Sequence, residues 1–158
     1  VNPRFSVDAD GVPNRPNIPV EINDVTYTFL LRKNVILRVG IDIRPGEFPN
    51  PINPKSKGKI PVAILSTATF DATTVDRHTV RFGKDGTEAI AVGEGEQKDV
   101  DKDGDDDLVL HFQTQETGIQ CGNYAAMLKG STSGAEEIEG SDSIVTTGCK
   151  RWGGKRGP

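Results

Sequence analysis

Between Asp99 and Asp107 the chain reads DVDKDGDDD, six aspartates in nine positions, before turning apolar with LVLHF. Carboxylates within ~5 Å of one another repel by ~1 kcal/mol per pair even at water-like dielectric, so a folded loop of this kind calls for a cation. Calcium is a hard ion that takes about six to eight oxygens. A loop wrapping it needs carboxylates at alternate positions and a residue that permits a sharp turn midway. Asp99, Asp101 and Asp103 fall at loop positions one, three and five, and Gly104 falls at six, where the turn lies. Asp105 at seven can offer its carbonyl, and Asp107 at nine can bind directly or through water. Magnesium fits less well, because it prefers few carboxylates and keeps its waters. The expected cofactor is therefore Ca2+, held by Asp99, Asp101, Asp103, Asp105 and Asp107.

The departure from a helix-flanked calcium hand is equally informative. Position twelve would be a bidentate glutamate on an exiting helix, and here it is Leu110. Leu108, Leu110 and Phe112 alternate with Val109, His111 and Gln113, so the loop feeds a strand. The remaining ligand is expected from Glu94, Glu96 or a distant aspartate. A solvated acidic turn without metal is the competing reading. A calcium-studded repeat array would need further copies at a fixed period. The nearest, Asp8-Ala9-Asp10-Gly11, is truncated and reads as a polar turn.

Other chemistry is sparse. His78 and His111 share no metal-ligand spacing, and His111 alternates away from the core face of its strand. No nucleophile elbow, zincin or phosphate-loop pattern appears. Glu116, Glu136, Glu137 and Glu139 read as surface acids rather than a glycosidase pair. Flat polysaccharides call for exposed aromatics. Tyr27 and Tyr124 lie in strand-like stretches and read as packing residues, while Trp152 sits in a basic tail with Lys150, Arg151, Lys155 and Arg156. That tail reads as a flexible end rather than a nucleic-acid surface. The expectation is a protein that is not an enzyme.

The elements that must position the loop are strands. Val35–Ile43 alternates Leu37, Val39, Ile41 and Ile43 on one face. Val25–Arg32, Lys59–Ser66, His78–Gly83, Thr87–Val92, Asp107–Gln113, Asn123–Gly130 and Asp142–Thr147 are the other runs, separated by turns at Lys84-Asp85-Gly86, Thr117-Gly118 and Ser133-Gly134. Pro61 inside one run predicts an edge strand or a bulge. Helix has room only around Thr69–Val75, where Asp71 or Thr73 can cap a single turn. The four prolines of Arg44–Lys57 predict a long ordered loop. About eight or nine short strands with Gly-rich turns predict an all-β fold, an antiparallel β-sandwich with the calcium loop leading into a strand.

At 158 residues, with 18 Gly, 10 Pro and a net charge of −4, the chain is long enough for a core and too weakly charged to select a partner. Residues 1–148 are expected to form a single domain, with 1–17 flexible and 149–158 a basic tail or linker. No apolar run is long enough to span a membrane as a helix. A chain beginning at Val1, without a leader, suits a mature secreted form or an excised domain. Pairing Cys121 with Cys149 would close a loop worth about 3.5 kcal/mol on the chain-entropy model, two free thiols being the alternative.

The runs IDIRPG…GKIPVAIL, DVDKDGDDDLVLHF and EGSDSIVTTG carry a resemblance. Over roughly residues 41–148 the chain resembles a calcium-loop β-module of secreted and cell-surface bacterial proteins. The resemblance implies an extracellular location and a structural calcium loop, carried by Asp99, Asp101, Asp103 and Asp107, and it implies no activity. Together these readings predict a secreted calcium-binding module for attachment or accessory binding. A calcium-dependent carbohydrate-binding module and a subunit of an extracellular fibre or matrix are the alternatives. The expected partners are an extracellular glycan or neighbouring protein domains, with no nucleic acid and no membrane span.

Overall fold

A computed structural model describes residues 35–150 of the chain. The strand expected over Val25–Arg32, the polar turn at Asp8–Gly11, the flexible segment 1–17, Tyr27 and the tail from Arg151 onward lie outside them. The chain falls into two units, Val1–Val35 and Ile36–Pro158, and the fold described is that of the second.

The described residues are all-β. In chain order the strands are β1 (Ile36–Arg38), β2 (Ile41–Ile43), β3 (Pro51–Ile52), β4 (Lys59–Ile64), β5 (Val75–Gly83), β6 (Ala89–Lys98), β7 (Asp107–Gln113), β8 (Ala125–Thr132), β9 (Glu137–Ser143) and β10 (Val145–Thr146). One 3-10 turn covers Ala72–Thr74, and the Asp71 side chain caps it by accepting the Thr73 N–H, as the capping residues predict. A second 3-10 turn, Thr114–Glu116, ends β7.

Eight strands form one sheet in the order β1-β9-β8-β5-β6-β7-β4-β2, and β3 pairs with β10 in a separate two-stranded ladder. The sheet is mixed rather than purely antiparallel. β1 runs parallel to β9 and β10 parallel to β3, while the remaining pairs are antiparallel. Its two outermost strands, β1 and β2, are separated in sequence by Val39 and Gly40 alone. The chain therefore steps from one edge of the sheet to the other, and the sheet must curl to allow it. Val39 N–H still donates to Glu139 of β9, while Leu65 N–H, just past β4, donates to Gly40. Where a backbone ladder between β2 and β9 would lie, the Asp142 side chain substitutes, accepting the Ile43 N–H at 3.1 Å.

Inside the curl lies one apolar core. Ile43, Ile60, Val62, Ile64, Val80, Phe82, Leu110, Phe112, Leu128 and Ile138 are buried together. The Phe82 and Phe112 rings sit 5.1 Å apart across it. Removing such apolar surface from water contributes roughly 25 cal/mol per Å². Leu37 and Val39 pack against the same core, so the alternating face of Val35–Ile43 is as expected although two strands share it.

Pro61 differs from its expectation, because β4 is an interior strand between β7 and β2. Its carbonyl accepts the Arg44 N–H on the β2 side. A strand residue points its nitrogen to the same side as its carbonyl, and the β2 ladder ends at Ile43, so the missing N–H removes no ladder bond. A disulfide joins Cys121 to Cys149. Among the described residues no helix is long and apolar enough to cross a membrane.

Candidate metal centre

β6 and β7 are antiparallel neighbours, with Lys98 opposite Asp107, and the acidic loop is the connection between them. β6 extends six residues beyond the expected Val92, so the glutamates before the loop belong to a strand. The loop closes through its own carboxylates. Asp99 accepts the N–H of Asp103 at 3.1 Å and of Gly104 at 2.9 Å, and Asp101 accepts the Asp103 N–H at 3.2 Å. Lys102 and Gly104 take positive φ of 65° and 102°, which turns the backbone sharply between these contacts. Gly104 occupies a conformation that a side chain would strain.

Asp99, Asp101 and Asp107 each bring a carboxylate oxygen to within 4.8 Å of the others. Asp107 is fully buried. One of its oxygens accepts the Ser66 N–H at 2.8 Å and the other the Val100 N–H at 2.9 Å. Both are backbone donors, so each Asp107 oxygen is fixed against the fold. Partial loss of hydration, followed by the like charges of Asp103 and Asp107, holds the Asp101 carboxyl above its usual range, against the lowering effect of the Asp103 N–H. Such a constellation is suited to a positive ion.

Of the five residues expected as ligands, the fold thus converges three. The Asp103 carboxylate turns instead to the Asp105 N–H at 3.0 Å, and Asp105 is exposed beside it. Glu94 is held by Arg77 at 2.8 Å and Glu96 lies opposite Val109 in the β6–β7 ladder, so neither belongs to the converged group.

Ser66 is the residue that sequence reasoning missed. Its hydroxyl donates to the Asp106 carbonyl at 2.7 Å and accepts the Ala72 N–H at 2.8 Å. Together with its N–H on Asp107, it fastens the loop to the end of β4 and to the 3-10 turn that Asp71 caps. No local signal marks a serine that acts 41 residues away in sequence. Tyr124 is also corrected: it is 81% exposed rather than packed, and Phe48 is 85% exposed. A shallow groove beside the loop is lined by Thr67, Phe70, Asp71, Thr73, Asp105 and Asp106. Comparison with protein families, with curated proteins and with solved structures finds no match, so the reading of this site rests on its own geometry.

Proposed function

We propose that the chain is a secreted, non-enzymatic calcium-binding β-module that serves extracellular attachment or accessory binding. The observation that carries this reading is the convergence of Asp99, Asp101 and Asp107 at the mouth of the β6–β7 hairpin, with Asp107 buried beneath it. Those three carboxylates would hold the ion. Asp103 and the Asp105 carbonyl would complete its oxygen set, a ligand class and charge that favour calcium. The ion's contribution is stability. Binding the folded loop far better than the unfolded chain, it raises the unfolding free energy in proportion to the logarithm of its concentration. A disulfide accords with an oxidising, extracellular setting, as does the resemblance to a surface module.

Thermal unfolding with and without chelator tests the proposal. EDTA should lower the melting temperature and expose the loop to protease, and Asp101→Asn should remove the loop's share of that response. Unchanged melting and protease resistance after chelation would refute it.

A second reading, a calcium-dependent carbohydrate-binding module, is favoured by the exposure of Phe48 and Tyr124. Aromatic faces left in water are suited to stacking on sugar rings. A glycan array probed with calcium present decides it: binding that Phe48→Ala and Tyr124→Ala abolish would establish the glycan as partner.

A further inference from the structure

Where β2 and β9 meet without a backbone ladder, a cleft is lined by Asp42, Phe48, Asn50, Leu65 and Asp142, with Glu47 at its side. Asn50 is only 2% exposed. Its Nδ2 donates to Asp142 Oδ2 at 3.0 Å and to the Ser143 carbonyl at 2.8 Å. Two acceptors on that atom fix which end of the amide is nitrogen. The other end, Oδ1, is buried with no partner among the described residues. Buried carbonyls are seldom left so, and an unpaired one calls for an explanation, a bound water or ion among them.

The neighbouring carboxylates sharpen the choice. Asp142 is committed to the fold: Oδ2 also accepts the Ile43 N–H, and Oδ1 accepts the Ser143 N–H at 2.8 Å. Asp42 has no hydrogen bond or ion pair among the described residues. Burial first, and the charge of Asp142 second, raise its pKa. Glu47 is already bound by Arg44 at 2.7 Å, and among the described residues no lysine or arginine lines the cleft. The cleft lining thus carries acceptors without a matching donor among the described residues, and a group that would satisfy them is a cation. Carboxylate and carboxamide oxygens are hard ligands, and none of the described lining residues is a histidine or cysteine, the donors that select zinc or copper.

We propose that this cleft is a second divalent-cation site of calcium type, with the Asp42 carboxylate and Asn50 Oδ1 as ligands and Asp142 as the charge that orients Asn50. It shares no residue with the acidic loop and does not depend on the reading of that loop. An ion there would bridge β2 to the Asn50 segment at the seam where the sheet curls closed.

Calorimetric titration of the chelator-treated full chain with calcium chloride tests this. The unaltered protein should bind two equivalents. Asp42→Asn, which is isosteric and gives up no hydrogen bond among the described residues, should bind one, with an unchanged far-UV circular dichroism spectrum. A loop variant, Asp99→Asn with Asp101→Asn, should also keep one equivalent, and this arm does not depend on how Asp42→Asn folds. Adding Asp42→Asn to the loop variant should abolish binding. Two equivalents retained by Asp42→Asn, or none retained by the loop variant, would overturn the second site. A single equivalent that survives the loop substitutions and disappears with Asp42→Asn would uphold it while refuting the loop.

Discussion

Asp107 joins the loop to the fold as well as to the acidic cluster, and the two roles separate under substitution. Asp107→Ala leaves the buried Ser66 N–H and the half-buried Val100 N–H without their acceptor, a loss of about 3 kcal/mol for two bonds to a charged group. Urea denaturation should show that loss in EDTA as well as in calcium. Asp101→Asn, at an exposed position, should change little in EDTA and remove the part of the calcium gain that the loop supplies. Equal effects of both substitutions in EDTA would contradict the assignment. Asp42 supplies a pH prediction. Its folded pKa lies above the unfolded one, so the folded state holds that proton more tightly. The associated stability is present at low pH and lost as pH rises through the folded pKa. In buffer free of divalent ions, Asp42→Asn should flatten this decline; an unaltered slope would show that Asp42 does not cause it. The aspartate spacing was legible because calcium dictates residue type and interval together. Ser66 was not, since its role depends on a contact that only the folded chain creates.

Strand positions were legible wherever alternation was strong. Asp107–Gln113 coincides with β7 residue for residue, and Asp71 marks its 3-10 turn through ordinary capping chemistry. Two of the elements that escaped did so for plain physical reasons. β9 begins at Glu137, and Glu137 and Glu139 interleave with Ile138 on a strand that is half solvated, so its apolar signal is one residue wide. Val35–Ile43 has an unbroken period of two, and pattern alone does not say that β1 and β2 take different partners on opposite edges of the sheet. Gly140 makes that division possible. A Cβ there would lie 2.7 Å from the Val39 carbonyl oxygen and 2.9 Å from Ile41 Cγ2. The β1–β2 crossing passes directly over β9, and only hydrogen fits beneath it. Gly140→Ala should therefore destabilise the protein by about 1–3 kcal/mol, the range for overpacking. Urea midpoints measure this, and a neutral result would mean that the crossing is free to lift.

At the scale of the molecule, the composition and turns conveyed an all-β protein, but not that its eight-stranded sheet would be mixed and curled on itself. Long-range pairings such as Leu37 with Ile138 leave no trace in local periodicity. The cysteines were legible as a pair to be considered, and the fold joins them. Their placement gives a prediction about independence. The acidic loop enters β7, whereas the segment bearing Cys121 follows the other end of that strand. Seven residues of strand span about 23 Å. Perturbations separated by more than ~10 Å without shared partners usually add. Replacing both cysteines by serine restores the entropy of a loop spanning 28 residues in the unfolded chain, and should lower stability by about 3.5 kcal/mol on the chain-entropy model. The increment that calcium contributes through Asp99, Asp101 and Asp107 should survive that change undiminished. Urea titrations of both proteins, each with calcium and with EDTA, make the comparison. A calcium increment that vanishes with the disulfide would show that closing the far end of the sheet is a condition for forming the loop, and the two ends would then have to be treated as one cooperative site.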